Sequence, residues 1–328
     1  MKYATIKGTD LKPSAICLGG GPLGATLGQE ESFALLDAFY EAGGNFIDTA
    51  KIYSDWRPGE RSVSEKTIGR WMKARGNRNN LVVTTKGAHT EMQGNKIIRG
   101  SMRLSEKDIT YDLESSLQSL QVNCIDLYWL HRDDEKRPVS EILGTLDAHV
   151  KKGHIRYYGC SNWKPERILE ALAFSRVNGT GCFVANQMMW SLAMPQKELM
   201  EDYTLVLMDS GGLKMHTETG MAAIPYSSQA KGLLTKMSDT DKGTDILSSK
   251  AFKTYDTDLN RQKHGRAEKL SDELGISINQ IVLAYLISHP FSVIPIAGCK
   301  NVIQMNESIK ALEFRLDSSA IAYLEKGT

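Results

Sequence analysis

Asn45-Phe46-Ile47-Asp48-Thr49-Ala50-Lys51-Ile52-Tyr53 starts as a short apolar run behind Gly43-Gly44 and ends in polar residues. A buried parallel strand whose C-terminal end opens into a functional loop has this profile. In closed barrels of alternating strands and helices, reactive side chains collect at that end of the strands. Taken alone, the stretch also suits an aspartate that caps a turn with a tyrosine packed over it. Its neighbours decide the fold.

Upstream, residues 3–6 and a turn near Gly8-Thr9-Asp10 predict a small hairpin leading into a strand at 14–18. A helix over 31–42, with Phe33, Leu36 and Tyr40 on one face, precedes the Phe46 strand. Downstream, a helix over 62–74 leads to a strand at 81–86. Ser105 and Asp108 form a capping pattern for a helix with Ile109, Leu113, Leu117 and Leu120 on one stripe. A strand at 125–131, a helix over 138–152 and a strand at 155–159 follow, with Pro165 placed for the first turn of the next helix. Strands at 183–187, 222–226 and 293–296 complete the series, with a helix capped by Ser277 and Gln280 that turns Ile281, Val282, Tyr285 and Leu286 inward. Eight such repeats without a low-complexity linker predict one α/β domain over residues 1–328. The expected architecture is a (β/α)8 TIM barrel with an N-terminal β-hairpin and extra loops or helices at its mouth. Segments 190–221 and 235–262 fit the alternation poorly, and the second is expected to cover one end of the barrel as a loop.

Composition narrows the function classes. Hydrophobic residues make up 41% and charged residues 24%, as in ordinary soluble globular proteins. A formal charge of +1 gives no basis for a nucleic-acid or anionic-membrane partner. The five dispersed cysteines, without a Cys-x-x-Cys pair, fit reduced thiols in a cytoplasmic protein. The start lacks the apolar core of a signal peptide, and no apolar run approaches the roughly 18 residues of a membrane span.

One pattern misleads. Gly19-Gly20-Gly21-Pro22-Leu23-Gly24 matches G-x-G-x-x-G, but that loop must open a helix to hold a pyrophosphate. Here Pro22 and the polar residues 25–29 intervene, so a tight turn after the first strand is expected. The seven histidines show no metal spacing, and no G-x-S-x-G is present.

Asp48 and Tyr53 follow the second strand, Lys86 ends the third and His131 ends the fourth. In a barrel these positions face one mouth, where all four can converge. A free phenol has a pKa of about 10, too high for easy proton exchange at neutral pH. A neighbouring ammonium lowers it, Asp48 can keep Lys86 charged and oriented, and neutral His131 can polarise a carbonyl. Such a group would protonate a carbonyl oxygen while hydride arrives at carbon from a cofactor.

The chain resembles the aldo-keto reductase family, and within it the bacterial and potassium-channel-β-like branch. It matches the family's Asp-Tyr-Lys-His tetrad, with Asp48-Thr49-Ala50-x-x-Tyr53 as the second-strand signature. Gly159-Cys160-Ser161-Asn162 and Gln187 are similar to the family's segments after strands five and six. The resemblance implies that Ser161, Asn162 and Gln187 bind a nicotinamide carboxamide and that Tyr226 stacks on its ring. It further implies that the loop from Tyr226 through Ser227, Gln229, Gly232 and Leu233 follows the pyrophosphate. Gly298, Lys300, Gln304, Glu307 and Ser308 would hold the adenosine half, although Ser308 stands where the family usually has Asn. Lys300 could meet a 2′-phosphate as a point charge, which favours NADPH over NADH.

The implied partner is a small-molecule carbonyl substrate, with Trp56 and Arg132 as candidate contacts at the mouth and a slight leaning towards sugar-like compounds. Oligomeric state has no sequence signature here. Two alternatives are an NADPH-binding regulatory module of the channel-β type with slow turnover, and a barrel lyase or isomerase using Lys86 as a Schiff-base nucleophile. A chain that begins almost at its first strand and stops soon after its last helix gives the regulatory reading little support.

Overall fold

Alternate side chains of a strand point to opposite faces, and here the two faces bury different things. Cys17, Phe46, Val82, Leu127, Trp129, Ala185, Ile224 and Ile296 share one cluster. Their sequence neighbours Leu18, Ile47, Val83, Tyr128 and Leu130 share another with helix residues such as Leu36, Trp71 and Leu113. A sheet with one face turned in on itself and the other covered by helices is a barrel.

The computed structural model describes residues 1–55, 59–93, 96–238 and 246–327. The first strands are β1 (Cys17–Gly19), β2 (Phe46–Asp48) and β3 (Val82–Gly87), followed by a short antiparallel hairpin of β4 (Met92–Gln93) and β5 (Lys96–Ile97). Then come β6 (Ile125–Leu130), β7 (Ile155–Ser161), β8 (Ala185–Gln187), β9 (Ala222–Ala223) and β10 (Ile296–Ala297). The parallel sheet runs β10-β1-β2-β3-β6-β7-β8-β9. It closes where the Ile294 and Ile296 N–H groups donate to Ala223 and Pro225 carbonyls, each at 2.9 Å. Gly159 permits the closure locally, because a Cβ there would lie 2.4 Å from the Trp129 ring that fills the barrel.

Around the sheet run α1 (Gln29–Glu41), α2 (Val63–Arg75), α3 (Glu106–Leu120), α4 (Val139–Lys151), α5 (Pro165–Asn178) and α6 (Ser210–Thr219). The short α7 (Leu233–Met237), then α8 (Asp258–Leu274), α9 (Ile278–Ile287), α10 (Val302–Lys310) and α11 (Ser318–Lys326) complete the chain. Ser105 caps α3 and Ser277 with Gln280 forms a capping box on α9, as the sequence patterns predict. The N-terminal hairpin is reduced to one antiparallel bridge, Tyr3 with Ser14. It seats Ile6 and Leu11 against the interior cluster, and Ser14 accepts the Phe46 N–H at the start of β2. The hairpin therefore plugs the end of the barrel opposite Asp48.

Three expectations are corrected. On α1 the buried face is Leu35, Leu36 and Phe39, whereas Phe33 and Tyr40 are half-buried. Phe39 sets this phase by lying where a Cβ on Gly44 would be, 2.5 Å from its ring. Leu117 of α3 is only half-buried. Segment 235–262 is not simply a surface loop: residues 239–245 lie outside the described residues, but Leu247, Phe252 and Tyr255 pack with Leu233 and Leu234 in a third apolar cluster. The other irregular segment joins it, since Lys263 Nζ donates to the Leu192 carbonyl at 2.9 Å and the Gln196 N–H to the Thr254 carbonyl at 2.7 Å. Among the described residues no single helix is long and apolar enough to cross a membrane.

Glu65 of α2 is fully buried and accepts a hydrogen bond from Thr85 of β3 at 2.6 Å, while its other oxygen has no partner among the described residues. Burial raises its carboxyl pKa from 4.5 to about 7. The folded chain thus binds this proton more tightly than the unfolded chain, so its stabilising effect is complete below pH 4.5 and fades as pH rises through about 7. The loss amounts to about 3 kcal/mol. Glu65→Gln should flatten the stability–pH curve in that window and leave the variant more stable than the parent at about pH 8. Urea midpoints at about pH 5 and about pH 8 check this; parallel curves for the two chains would refute it.

Candidate active site

The alternation that fills the barrel also builds its mouth. Asp48 lies two residues after Phe46, Lys86 four after Val82, His131 two after Trp129 and Gln187 two after Ala185. Each therefore shares the inward parity of an interior residue. The register sets Asp48 beside Thr84 and Ser161 beside Gln187, so these side chains emerge together at the C-terminal ends of the strands.

Lys86 is the centre. Its ammonium is 1% exposed and donates to Asp48 Oδ2 at 2.5 Å, the Thr49 carbonyl at 2.8 Å and Tyr53 Oη at 2.9 Å. Three N–H groups meet three acceptors. Asp48 Oδ1 accepts from Thr84 Oγ1 at 2.8 Å and Gln187 Nε2 at 3.1 Å. Burial works against the charged Lys86, but Asp48 and Tyr53 outweigh it and hold the ammonium above its ordinary pKa. For Tyr53, burial is the larger influence and raises the phenol, while Lys86 pulls it down. The net direction is upward, which corrects the expectation that the neighbouring ammonium lowers the phenol's pKa. His131 is buried and held well below the usual imidazole range by burial, with His89, Arg132 and Lys86 adding to the effect. Its ring meets that of Tyr53 edge-on, with centroids 6.2 Å apart.

The structure brings these four side chains together and sets the neighbouring candidates beside them. Asn162, at φ +59°, donates to the His131 carbonyl at 3.2 Å and to Ser161 Oγ at 3.1 Å. Its carbonyl accepts from Tyr226 Oη at 2.6 Å and the Val206 N–H at 3.1 Å. Gln187 Oε1 is buried with no partner among the described residues. Ser227, Ala230, Lys231 and Gly232 all have positive φ, giving a tightly wound loop, and Leu233 buries its side chain in the core so that only its backbone faces that loop. Gln229 joins the loop to the next segment by accepting the Gly298 N–H at 3.2 Å and donating to Asn279 at 2.8 Å and Ser308 at 3.2 Å. Gln304 accepts the Lys300 N–H at 2.9 Å, and Glu307 accepts from Ser277 at 2.6 Å. Lys300 is exposed, and its ammonium makes no ion pair among the described residues.

The two candidate substrate contacts stand apart from this group. Trp56 lies outside the described residues. Arg132, expected at the mouth, is 4% exposed and held by protein acceptors: Thr204 Oγ1 at 2.6 Å, the His131 carbonyl at 2.7 Å and Asp202 at 2.8 Å. It anchors segment 202–206, part of the stretch that followed no pattern, across the barrel end. Gly20 makes a turn on the Asp48 carbonyl (2.7 Å), and α1 begins only at Gln29, so the glycine-rich run does not open a helix. Sequence reasoning missed Thr84 and His89. Thr84 was legible, being in phase with Lys86; His89 stands beyond the strand end, where no period applies.

A closed barrel with a tyrosine, a charged lysine, a carboxylate and a neutral histidine at its mouth is arranged for proton transfer to and from oxygen. The Aldo/keto reductase family model matches residues 15–327, and the chain belongs to this family of carbonyl-reducing oxidoreductases. It is 28% identical over 338 positions to an aryl-alcohol dehydrogenase [NADP(+)] of Phanerodontia chrysosporium, covering 97% of this chain and 83% of that one. It is 29% identical to a norsolorinic acid reductase of Emericella nidulans (96% and 78% covered) and 28% identical to an uncharacterized oxidoreductase of Bacillus subtilis (99% and 95%). A thermostable aldo-keto reductase solved with the inhibitor epalrestat has the same fold, with a TM-score of 0.74 at 22% identity and 99% of each chain covered.

Removing one partner of a buried ion pair leaves the other uncompensated, at a cost of about 3–5 kcal/mol. Lys86→Met and Asp48→Asn should each destabilise by about that much, and the double variant by clearly less than their sum. Urea unfolding of the four chains gives the coupling directly. Strict additivity would mean that the two charges stand independently.

Proposed function

We propose that the chain is an NADPH-dependent reductase of aldehydes or ketones in which Tyr53 supplies the proton. One observation carries this reading: the Lys86 ammonium donates at once to Asp48 and to Tyr53. Because Tyr53 Oη accepts from Lys86, its own proton is left to donate elsewhere. As negative charge develops on a substrate oxygen, that proton moves to it, and the phenolate left behind is stabilised 2.9 Å from the ammonium. His131, held neutral, keeps a ring N–H to hydrogen-bond the same oxygen. The nicotinamide cofactor, when bound, supplies hydride to the carbonyl carbon.

The residues present fit such a cofactor. The unpartnered Gln187 Oε1 beside Ser161 suits a carboxamide N–H. Lys300, exposed and without an ion pair among the described residues, suits a 2′-phosphate. A Schiff-base role for Lys86 is disfavoured, because that chemistry needs a neutral amine and this one is held charged. Relatives named for aryl alcohols and norsolorinic acid move the proposed substrate from sugar-like compounds to aromatic carbonyls. The five free thiols suit a reducing, cytoplasmic setting.

NADPH consumption with a substituted benzaldehyde and with an aldose tests the reading. Wild type should turn over the aromatic aldehyde faster, and Tyr53→Phe should lose activity by about a thousandfold or more while keeping its NADPH affinity. Equal, substantial turnover by both chains would remove Tyr53 from the chemistry. Lys300→Ala should weaken NADPH binding by about tenfold and NADH binding by much less; equal effects would exclude a phosphate contact.

A further inference from the structure

Lys86 and Asp48 are fixed by hydrogen bonds on every side, but His131 is not. Its Nδ1 is buried and has no partner among the described residues. No acceptor among the described residues therefore dictates which ring nitrogen carries the proton or which one faces Tyr53. What His131 touches instead are rings: Tyr53, and His89 at a centroid distance of 4.7 Å and an interplanar angle of 76°.

The chain goes to some length to deliver His89 there. At the end of β3 the Gly87 carbonyl accepts the His131 N–H at 2.8 Å. Ala88 then adopts φ +58°, a left-handed conformation that residues with a Cβ seldom occupy, and donates its N–H to Asp112 at 2.9 Å. This turn lays the His89 ring across that of His131. His89 is 6% exposed, and its Nδ1 lies 2.8 Å from the Thr90 carbonyl. The Thr90 hydroxyl lies 3.3 Å from the same nitrogen, so two atoms of Thr90 hold that side of the ring, and it cannot flip without losing both contacts.

We propose that His89 is a positioning residue for His131: its edge-on ring sets the plane of the His131 imidazole and so the direction in which that ring's edge is presented beside Tyr53. The inference rests on the reading of His131 as hydrogen-bond donor to the substrate oxygen. Burial first, and nearby positive charge second, keep both rings neutral. His131 faces Lys86 from β3 and Arg132 from its own loop. His89, held down to about 4 chiefly by burial, faces Arg132 and Arg103 as well as Asp202 from the segment across the mouth.

The experiment compares His89→Phe, which keeps a ring edge, with His89→Ala, which removes it; His89→Leu, which fills the space without a ring, replaces alanine should that variant fail to fold. Imidazole NMR signals of ¹⁵N-histidine protein without cofactor or substrate are read first, with His131 assigned by its loss in His131→Asn. Wild type and His89→Phe should each show one sharp His131 ring signal set, and His89→Ala a broadened or doubled one. In parallel, kcat for carbonyl reduction should fall by about tenfold to a hundredfold in His89→Ala, with KM and cofactor affinity nearly unchanged. His89→Phe should stay within about threefold of wild type. A sharp single set in His89→Ala, or equal kcat losses in the two variants, overturns the proposal. If wild type reduces no carbonyl at all, the functional reading falls while the ring signals still decide the role of His89.

Discussion

A lysine ammonium with 1% exposure inside a barrel of aliphatic and aromatic side chains is the constraint on which this structure turns. Such a charge persists only when each of its protons has an acceptor and its charge a counter-ion. Asp48, the Thr49 carbonyl and Tyr53 provide these, and each comes from the stretch that ends β2. The pairing of β2 with β3 is therefore not free to slip. A one-residue shift would turn Asp48 or Lys86 to the helix-covered face and leave the other charge stranded. The same bonds hold Tyr53 with its oxygen towards the lysine and its proton available to a partner outside the trio.

The remaining architecture supports that requirement. The hairpin plugs one end of the barrel with Ile6 and Leu11. Trp129 fills the middle, with the missing side chain of Gly159 giving it room. Polar groups are thus confined to the opposite end, where a low-polarity floor strengthens every charge interaction above it. Burial also acts in opposite directions on two groups beside this network: it pushes the Tyr53 phenol up and drives the His131 imidazole down. Both are left in their neutral, proton-bearing forms around neutral pH, which is the condition for donating to a substrate oxygen.

Much of this was legible because strands repeat every two residues. Phe46 to Asp48, Val82 to Lys86, Leu127 to His131 and Ala185 to Gln187 share one parity, so convergence of the polar ends could be read once a barrel was inferred. What escaped depends on three-dimensional packing. The phase of α1 is decided by the contact of Phe39 with Gly44, which helical periodicity does not encode. Arg132 follows a site histidine in sequence and so invited a substrate role; its partners Thr204 and Asp202 lie some seventy positions away. The sign of the Tyr53 shift required the balance of burial against charge, and only burial could be known from the fold. His89 sits past the end of a strand, placed by an unusual backbone at Ala88 that nothing in the composition announces.

Asn162 shows how the two halves of the mouth are made to depend on one another. Its N–H groups hold the carbonyl of His131, and its carbonyl holds Tyr226 on one side and the backbone of Val206 on the other. Val206 belongs to the segment that Asp202 and Thr204 fasten to Arg132, whose guanidinium returns to the same His131 carbonyl. The loop is closed: the backbone that carries His131, the Tyr226 hydroxyl and the segment across the barrel end share one buried network. A side-chain amide with all its bonds committed cannot turn without releasing a neighbour. Any ligand that draws Asn162 or Tyr226 towards it must therefore act on the anchorage of the 202–206 segment as well.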